Sequence, residues 1–264
     1  MNWWQAIILG IVQGATEFLP ISSSGHLVIF ERILGLNDQD LLTYFSFLHV
    51  GTLIAVFIVM WKEIKSILTN ILGKMTWMLI LATIPAVIFT LLFGDFIDSA
   101  FKNNVTLGYE FIITGILLLS IRFIREGEKK MTDITATDAL LTGVGQSIAI
   151  MPAISRSGTC LTVLMFRKLK REEAVKFAFL MSIPAILGSF AKDMIDIFQG
   201  DTIITNGAIP MYAIGIAAAA IAGILSMKFM LKFLDKKGFI ICGVYVILLG
   251  LFVIFDQQIS HVLM

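Results

Sequence analysis

The sequence predicts an all-α integral membrane protein with six transmembrane helices and two re-entrant helix pairs, arranged as an inverted-topology repeat. Three observations predict it: the apolar balance of the chain, the sided distribution of Lys and Arg, and two copies of one short motif. Of 264 residues, 58% are hydrophobic and only 15% charged, against roughly 25% charged in soluble domains. Mean hydropathy is +0.91. Lipid as the solvent accounts for that balance.

Apolar runs without an internal charge cover Leu41–Trp61, Met75–Phe93, Phe111–Ile121, Ala208–Met227 and Gly238–Phe255. Most approach the roughly 20 residues that a spanning helix needs. The third reaches span length by extending back through Val105–Tyr109 if Glu110 is tolerated, and Ala174–Phe190, with one Lys near its start, makes a sixth. A net charge of +1 and the lack of basic stretches interleaved with aromatics argue against a nucleic-acid partner. Cys160 and Cys242 sit in apolar stretches far apart and read as free buried thiols. Met1–Gln5 lacks the positive n-region of a signal peptide, so the N-terminus reads as mature, with Trp3 and Trp4 as interfacial anchors.

Basic residues gather in four clusters: Lys62/Lys65/Lys74, Arg122/Arg125/Lys129/Lys130, Arg167/Lys168/Lys170/Arg171/Lys176 and Lys228/Lys232/Lys236/Lys237. By the positive-inside rule these mark the cytoplasmic side. Loops near Asn37–Asp40, Asp95–Asn104, Asp193–Asn206 and from Asp256 onward are acidic or neutral, which puts them and both termini outside.

Residues 1–36 and 131–171 must then each begin and end on one side. Each holds two apolar pieces too short to span, Trp3–Val12 with His26–Leu36 and Ala139–Met151 with Gly158–Leu169. Non-helical backbone at membrane depth needs a protein or water-filled surround, so both tips should face an enclosed polar chamber. An offset of 133 residues matches Gly10 to Gly143, Gln13 to Gln146, Ile21 to Ile154, Ser22 to Ser155, Ser24 to Ser157 and Gly25 to Gly158. Three spans separate the copies, so the second enters from the opposite face. The chain reads as one membrane domain, 1–264, made of halves 1–130 and 131–264.

The first tip runs from Gln13 through Glu17, Pro20 and Ser22-Ser23-Ser24 to Gly25 and His26. Gln13 and Glu17 share a helix face; Pro20 should end that helix, and the serines can cap the next. A helix N-terminus suits an anion. In the second tip, Ser155-Arg156-Ser157-Gly158-Thr159 follows Pro152, and Arg156 is the only arginine of either tip. An intramembrane arginine should face a cavity and pair with negative charge. Its planar fork suits carboxylate or phosphate. Plainer readings stand beside these. The serines can be caps alone, Glu17 and Arg156 a structural ion pair, Gln13 an interhelical hydrogen bonder, and His26 the partner of a backbone carbonyl. His49, within a span, has a weaker claim, and His261 reads as a solvated tail residue. Neither a zinc-binding set nor a P-loop is present.

At these residues the sequence resembles the undecaprenyl-diphosphate phosphatase family, the bacitracin-resistance proteins of bacterial membranes. The family's first motif, E/Q-G-x-T-E-F-L-P-x-S-S-x-G-H, is matched by Gln13, Gly14, Thr16, Glu17, Phe18, Leu19, Pro20, Ser22, Ser23, Gly25 and His26. Its second, P-G-x-S-R-S-G-A-T, is matched by Pro152, Ser155, Arg156, Ser157 and Gly158, with departures at Ala153, Thr159 and Cys160. The resemblance implies hydrolysis of undecaprenyl diphosphate in the bacterial plasma membrane, recycling the lipid carrier for cell-wall synthesis, with a divalent cation (Mg2+ or Ca2+). It also implies that Glu17 is the essential acid, His26 a nucleophile or acid/base with Ser23 a rival nucleophile, and Arg156 the phosphate clamp. Ser22, Ser24, Ser155, Ser157, Gly158 and Thr159 would bind phosphate. Gln13 stands where many members carry a second glutamate. The expected partners are a polyprenyl diphosphate entering from the outer face and membrane lipids, and both monomer and homodimer stay open. A lipid-phosphate flippase without hydrolysis, and a serine hydrolase of acyl or peptide bonds, are the rivals.

Overall fold

The computed structural model describes residues 1–36, 41–103, 105–199, 209–233 and 235–260. The expected loop at Asn37–Asp40, the 200–206 part of the loop at Asp193–Asn206, and His261 lie outside them. The described residues form eleven α-helices: α1 Trp3–Phe18, α2 Ser23–Ile33, α3 Leu41–Val59, α4 Trp61–Thr69, α5 Lys74–Asn103, α6 Leu107–Ser120, α7 Ala136–Ile148, α8 Arg156–Phe166, α9 Arg171–Gln199, α10 Ile209–Phe233 and α11 Lys236–Phe255. Five stretches are long and apolar enough to cross a membrane: Leu41–Val59, Lys74–Gly94, Arg171–Gln199, Ile209–Lys232 and Lys236–Ile259. Helix α6, the third expected span, has 14 residues and continues only through a 3-10 turn at Ile121–Phe123. α4 was marked by the charge pattern only as a basic loop; the helix breaks at Met60 and restarts at Trp61.

This is a multi-pass membrane protein turned inside out relative to a soluble one. Large apolar side chains such as Leu91, Ile116, Ile221, Leu225 and Leu248 are exposed on its outside, while Gln13, Glu17, Ser23, His26, Glu110 and Gln146 are buried. Lipid tails are as apolar as Leu, so helices associate through close packing of small residues and through internal hydrogen bonds. Helix α1 packs on α10, α7 on α5, α6 on α11, and α3 on both α9 and α10. At several of these interfaces glycine permits backbone contact. A Cβ on Gly10 would lie 2.5 Å from the Gly215 carbonyl oxygen, and one on Gly143 would lie 2.5 Å from that of Ala82. Helices α6 and α11 cross antiparallel, with Gly108 against Gly250 and Gly115 against Gly243.

The two short helix pairs form as their local chemistry dictates. α1 ends at Phe18 because Leu19 precedes Pro20 and is extended, at φ −69° and ψ 143°. Ser22 then caps α2, its Oγ accepting from the Gly25 N–H at 3.4 Å, and Ser155 caps α8, accepting from the Gly158 N–H at 3.1 Å. Both second helices therefore aim their free backbone N–H groups at the tips.

The base of the second pair is clamped by Asp138, fully buried in the first turn of α7. Its carboxylate accepts hydrogen bonds from the Thr135 backbone N–H (3.0 Å), Lys129 Nζ (3.0 Å) and Arg167 Nε (2.6 Å). Burial pushes its pKa up, but the hydrogen bonds from Thr135, Arg167 and Lys129 outweigh burial and hold it well below the usual aspartate range. A carboxyl depressed in the folded state contributes stability above its unfolded value of about 3.9, and that contribution is lost as pH falls below it. The thermal midpoint of the purified protein in detergent should therefore drop below about pH 4. Asp138→Asn should start lower at neutral pH and lose part of that acid-dependent drop.

Candidate active site

The tips meet in a chamber of about 620 Å3, lined by Glu17, Ser22, Ser23, Ser24, His49, Gln146, Ser155, Arg156 and Ser157. The lining also includes Leu42 and Ser46 of α3, Ile97 and Phe101 of α5, and Ser189, Lys192 and Asp193 of α9. The centre is Glu17. One carboxylate oxygen, Oε1, accepts from Arg156 Nη2 across the two tips. The other, Oε2, accepts from Ser23 Oγ at 2.5 Å and from Gln13 Nε2 at 3.1 Å, with His49 Nε2 3.6 Å away. Glu17 and Arg156 thus form a salt bridge between segments 139 residues apart in sequence.

The remaining predicted residues divide. Ser22 sits at φ 67°, a left-handed conformation that costs a serine strain, and its Oγ donates to the Pro152 carbonyl at 2.9 Å. That bond ties the first tip to the second. Ser157 Oγ donates to the Leu19 carbonyl at 3.2 Å and lies 3.3 Å from Ser155 Oγ. Ser24 lines the chamber. Gly158 packs beside Pro20, and its nitrogen serves the Ser155 cap. Thr159 is buried with its hydroxyl unpartnered.

His26 is not among the chamber-lining side chains. Its Nδ1 lies 2.7 Å from the Ser22 carbonyl, its Nε2 lies 2.8 Å from Tyr245 Oη, and Phe111 meets its ring edge-on at 5.5 Å. Both nitrogens are therefore engaged, and the ring wedges α2 against α6 and α11.

Four residues that sequence reasoning undervalued or passed over shape the site. Glu110, treated only as a charge the third span must tolerate, accepts from the Ala153 backbone N–H at 2.7 Å. Beside it Thr114 Oγ1 donates to the Ala153 carbonyl and accepts from the Ser155 N–H, so α6 holds the backbone of the second tip. Gln146, noticed only as the repeat partner of Gln13, lines the chamber with both amide atoms unpartnered. His49 reaches Glu17 from α3. Its signal was Ser46, three residues earlier: the pair puts two polar groups on one face of an apolar helix.

Could the site hold a cation? Among the described residues no three His, Cys, Asp or Glu side chains are grouped to do so. Glu17 is the one carboxylate carried by the tip segments themselves, and both its oxygens already accept hydrogen bonds. These residues do not make a cation site of their own.

A half-buried arginine paired with a buried carboxylate, hydroxyls and two helix N-termini facing one membrane chamber define a class: a multi-pass protein built to receive an anionic headgroup. The chain belongs to the bacitracin resistance protein BacA family, whose description matches residues 6–252. It is 42% identical over 263 residues to undecaprenyl-diphosphatase 4 of Bacillus thuringiensis, covering 99% of this chain and all of the relative. It is 41% identical to undecaprenyl-diphosphatase 3 of Bacillus cereus and 40% identical to the undecaprenyl-diphosphatase of Carboxydothermus hydrogenoformans, in each case covering 97% of this chain and 98% of the relative.

Proposed function

We propose that this protein hydrolyses undecaprenyl diphosphate to undecaprenyl phosphate and inorganic phosphate in the bacterial plasma membrane, recycling the lipid carrier for cell-wall synthesis. The observation that carries the reading is the 2.5 Å hydrogen bond from Ser23 Oγ to Glu17, made in the chamber beside Arg156. Ser23 is the nucleophile in this reading and Glu17 its base. As Oγ bonds to the terminal phosphorus, its proton passes to Glu17 and the bond from phosphorus to the bridging oxygen breaks, leaving that electron pair on the lipid phosphate. Arg156 uses its remaining donors on the equatorial oxygens, where charge spreads in phosphoryl transfer. The N-termini of α2 and α8 add positive dipole from opposite tips. Water then cleaves the phosphoserine. His26 keeps a positioning role, holding α2 through the Ser22 carbonyl and Tyr245. Ser22, Ser24, Ser155, Ser157 and Gln146 surround the phosphates; Gly158 and Thr159 support the turn. A divalent cation, Mg2+ or Ca2+, would supply charge neutralisation on the phosphates; the side chains alone do not assemble a site for it, and no step above runs through it.

The same reading takes the chain as six spans with two re-entrant pairs in an inverted repeat. Swapped packing supports it. Gly10 meets Gly215 and Gly143 meets Ala82 at the same 2.5 Å, and an offset of 133 converts one contact into the other. Part of the chamber lining, at the start of α3 and near the ends of α5 and α9, lies in or next to the acidic or neutral stretches, which supports entry from the outer face with both termini outside. The test is phosphate release from a long-chain prenyl diphosphate by purified protein in detergent, with and without EDTA. Release that EDTA stops is expected. No release by monodisperse protein sinks the phosphatase reading and favours lipid transport.

A further inference from the structure

We propose that His49 is the base of the second half-reaction, taking a proton from the water that cleaves the phosphoserine. The inference rests on the reading of Ser23 as nucleophile. The first half-reaction leaves Glu17 protonated and no longer basic, and its proton is needed by Ser23 Oγ as that oxygen leaves phosphorus, so the attacking water requires a second base. His49 is placed and prepared for it. The ring lines the chamber on α3, with its side chain 23% exposed. Its Nδ1 lies 2.7 Å from the Phe45 carbonyl, which can only accept, so Nδ1 carries the hydrogen and Nε2 of the neutral ring is left as the acceptor.

That Nε2 faces the reacting atoms. It lies 3.6 Å from Glu17 Oε2, too far for a hydrogen bond, and Ser23 Oγ lies 2.5 Å from the same oxygen. Nε2 and Oγ are therefore within about 6 Å of one another, a gap that one water and a phosphoryl group fill. His26, by contrast, has both nitrogens engaged and no place in the chamber lining.

The step balances. The water oxygen bonds to phosphorus as the Oγ–P bond breaks, one water proton goes to His49 Nε2, and Ser23 Oγ recovers the proton held by Glu17. Inorganic phosphate is released. The imidazolium then gives its proton to solvent through the chamber, whose lining also includes the polar groups Ser46, Ser189, Lys192 and Asp193.

The experiment mixes long-chain prenyl diphosphate with wild type, H49Q, H49A and S23A, quenches in acid, and follows both phosphate release and the phosphoryl group on the peptide bearing Ser23. Turnover of H49Q and H49A should fall by about 100-fold or more, with phosphoserine accumulating above the wild-type level. Free imidazole should restore turnover to H49A, and S23A should form no adduct. Adduct formation itself reports a folded site, so a misfolded variant is not mistaken for a slow one. Wild-type turnover in both His49 variants overturns the proposal, as does slow turnover with neither excess adduct nor imidazole response. Phosphate release by wild type in the same samples separates the failures: without it the phosphatase reading falls and takes this one with it, whereas with it only the role of His49 falls.

Discussion

Glutamine at both Glu17 and Arg156 yields a protein that folds and releases no phosphate. The expectation follows from the two things this pair can be. A buried ion pair can be replaced by neutral groups at little cost, whereas removing one partner leaves an uncompensated charge and costs about 3–5 kcal/mol. Arg156→Gln alone strands Glu17 in a site where its side chain is 4% exposed, and Glu17→Gln alone strands Arg156. Each single variant should therefore be clearly less stable than the double variant. Glutamine keeps donors and acceptors for Ser23 and Gln13, so the double variant should lie within about 1–2 kcal/mol of wild type.

Activity should order differently from stability. Loss of an arginine that stabilises the transferring phosphoryl group costs about 10³–10⁵ in rate, and loss of the base removes the route for the Ser23 proton. Residues that act as one unit are not additive, so the double variant should be about as inactive as the worse single one. Thermal midpoints and phosphate release on the same preparations read both quantities. A structural ion pair gives the opposite pattern, with the double variant stable and active, and that result would remove Glu17 and Arg156 from the chemistry.

The tips were legible in the sequence because their signals are local. Pro20 ending α1, a serine capping α2, and the arginine needing a negative partner each follow from a few neighbouring residues. What stayed hidden depends on which face of an apolar helix turns inward. On α3 the pointer is Ser46 three residues before His49, which puts both on one face but does not tell that this face meets Glu17. Glu110 reads as a cost of spanning until the Ala153 N–H is seen at 2.7 Å, because the tip it serves lies 43 residues on. His26 shows the converse. Its motif position drew attention to its chemistry, while its plainer reading, a ring satisfying a backbone carbonyl, is what Nδ1 does. The break between α3 and α4 carries no Pro or Gly signal, so nothing in the residues around Met60 announced it.

Leucine at Gly10 and leucine at Gly143 should damage the protein about equally. In both places a Cβ would lie 2.5 Å from a carbonyl oxygen of the facing helix, Gly215 on α10 in one case and Ala82 on α5 in the other. A backbone oxygen cannot rotate aside as a side-chain end can, so the helices must separate. Overpacking typically costs about 1–3 kcal/mol, occasionally more, and here the upper end is expected because lipid offers no hydrophobic drive to re-close the interface. Gly94→Ala is the control, since nothing lies within 4 Å of a Cβ built there. The thermal midpoint and monodisperse yield of the three variants in one detergent decide it. Equal losses at Gly10 and Gly143, with Gly94→Ala unchanged, are what two copies of one helix contact require. A large loss at one glycine and none at the other would mean that the resemblance of the two halves stops at the tips, and that the chamber is held by unlike interfaces on its two sides.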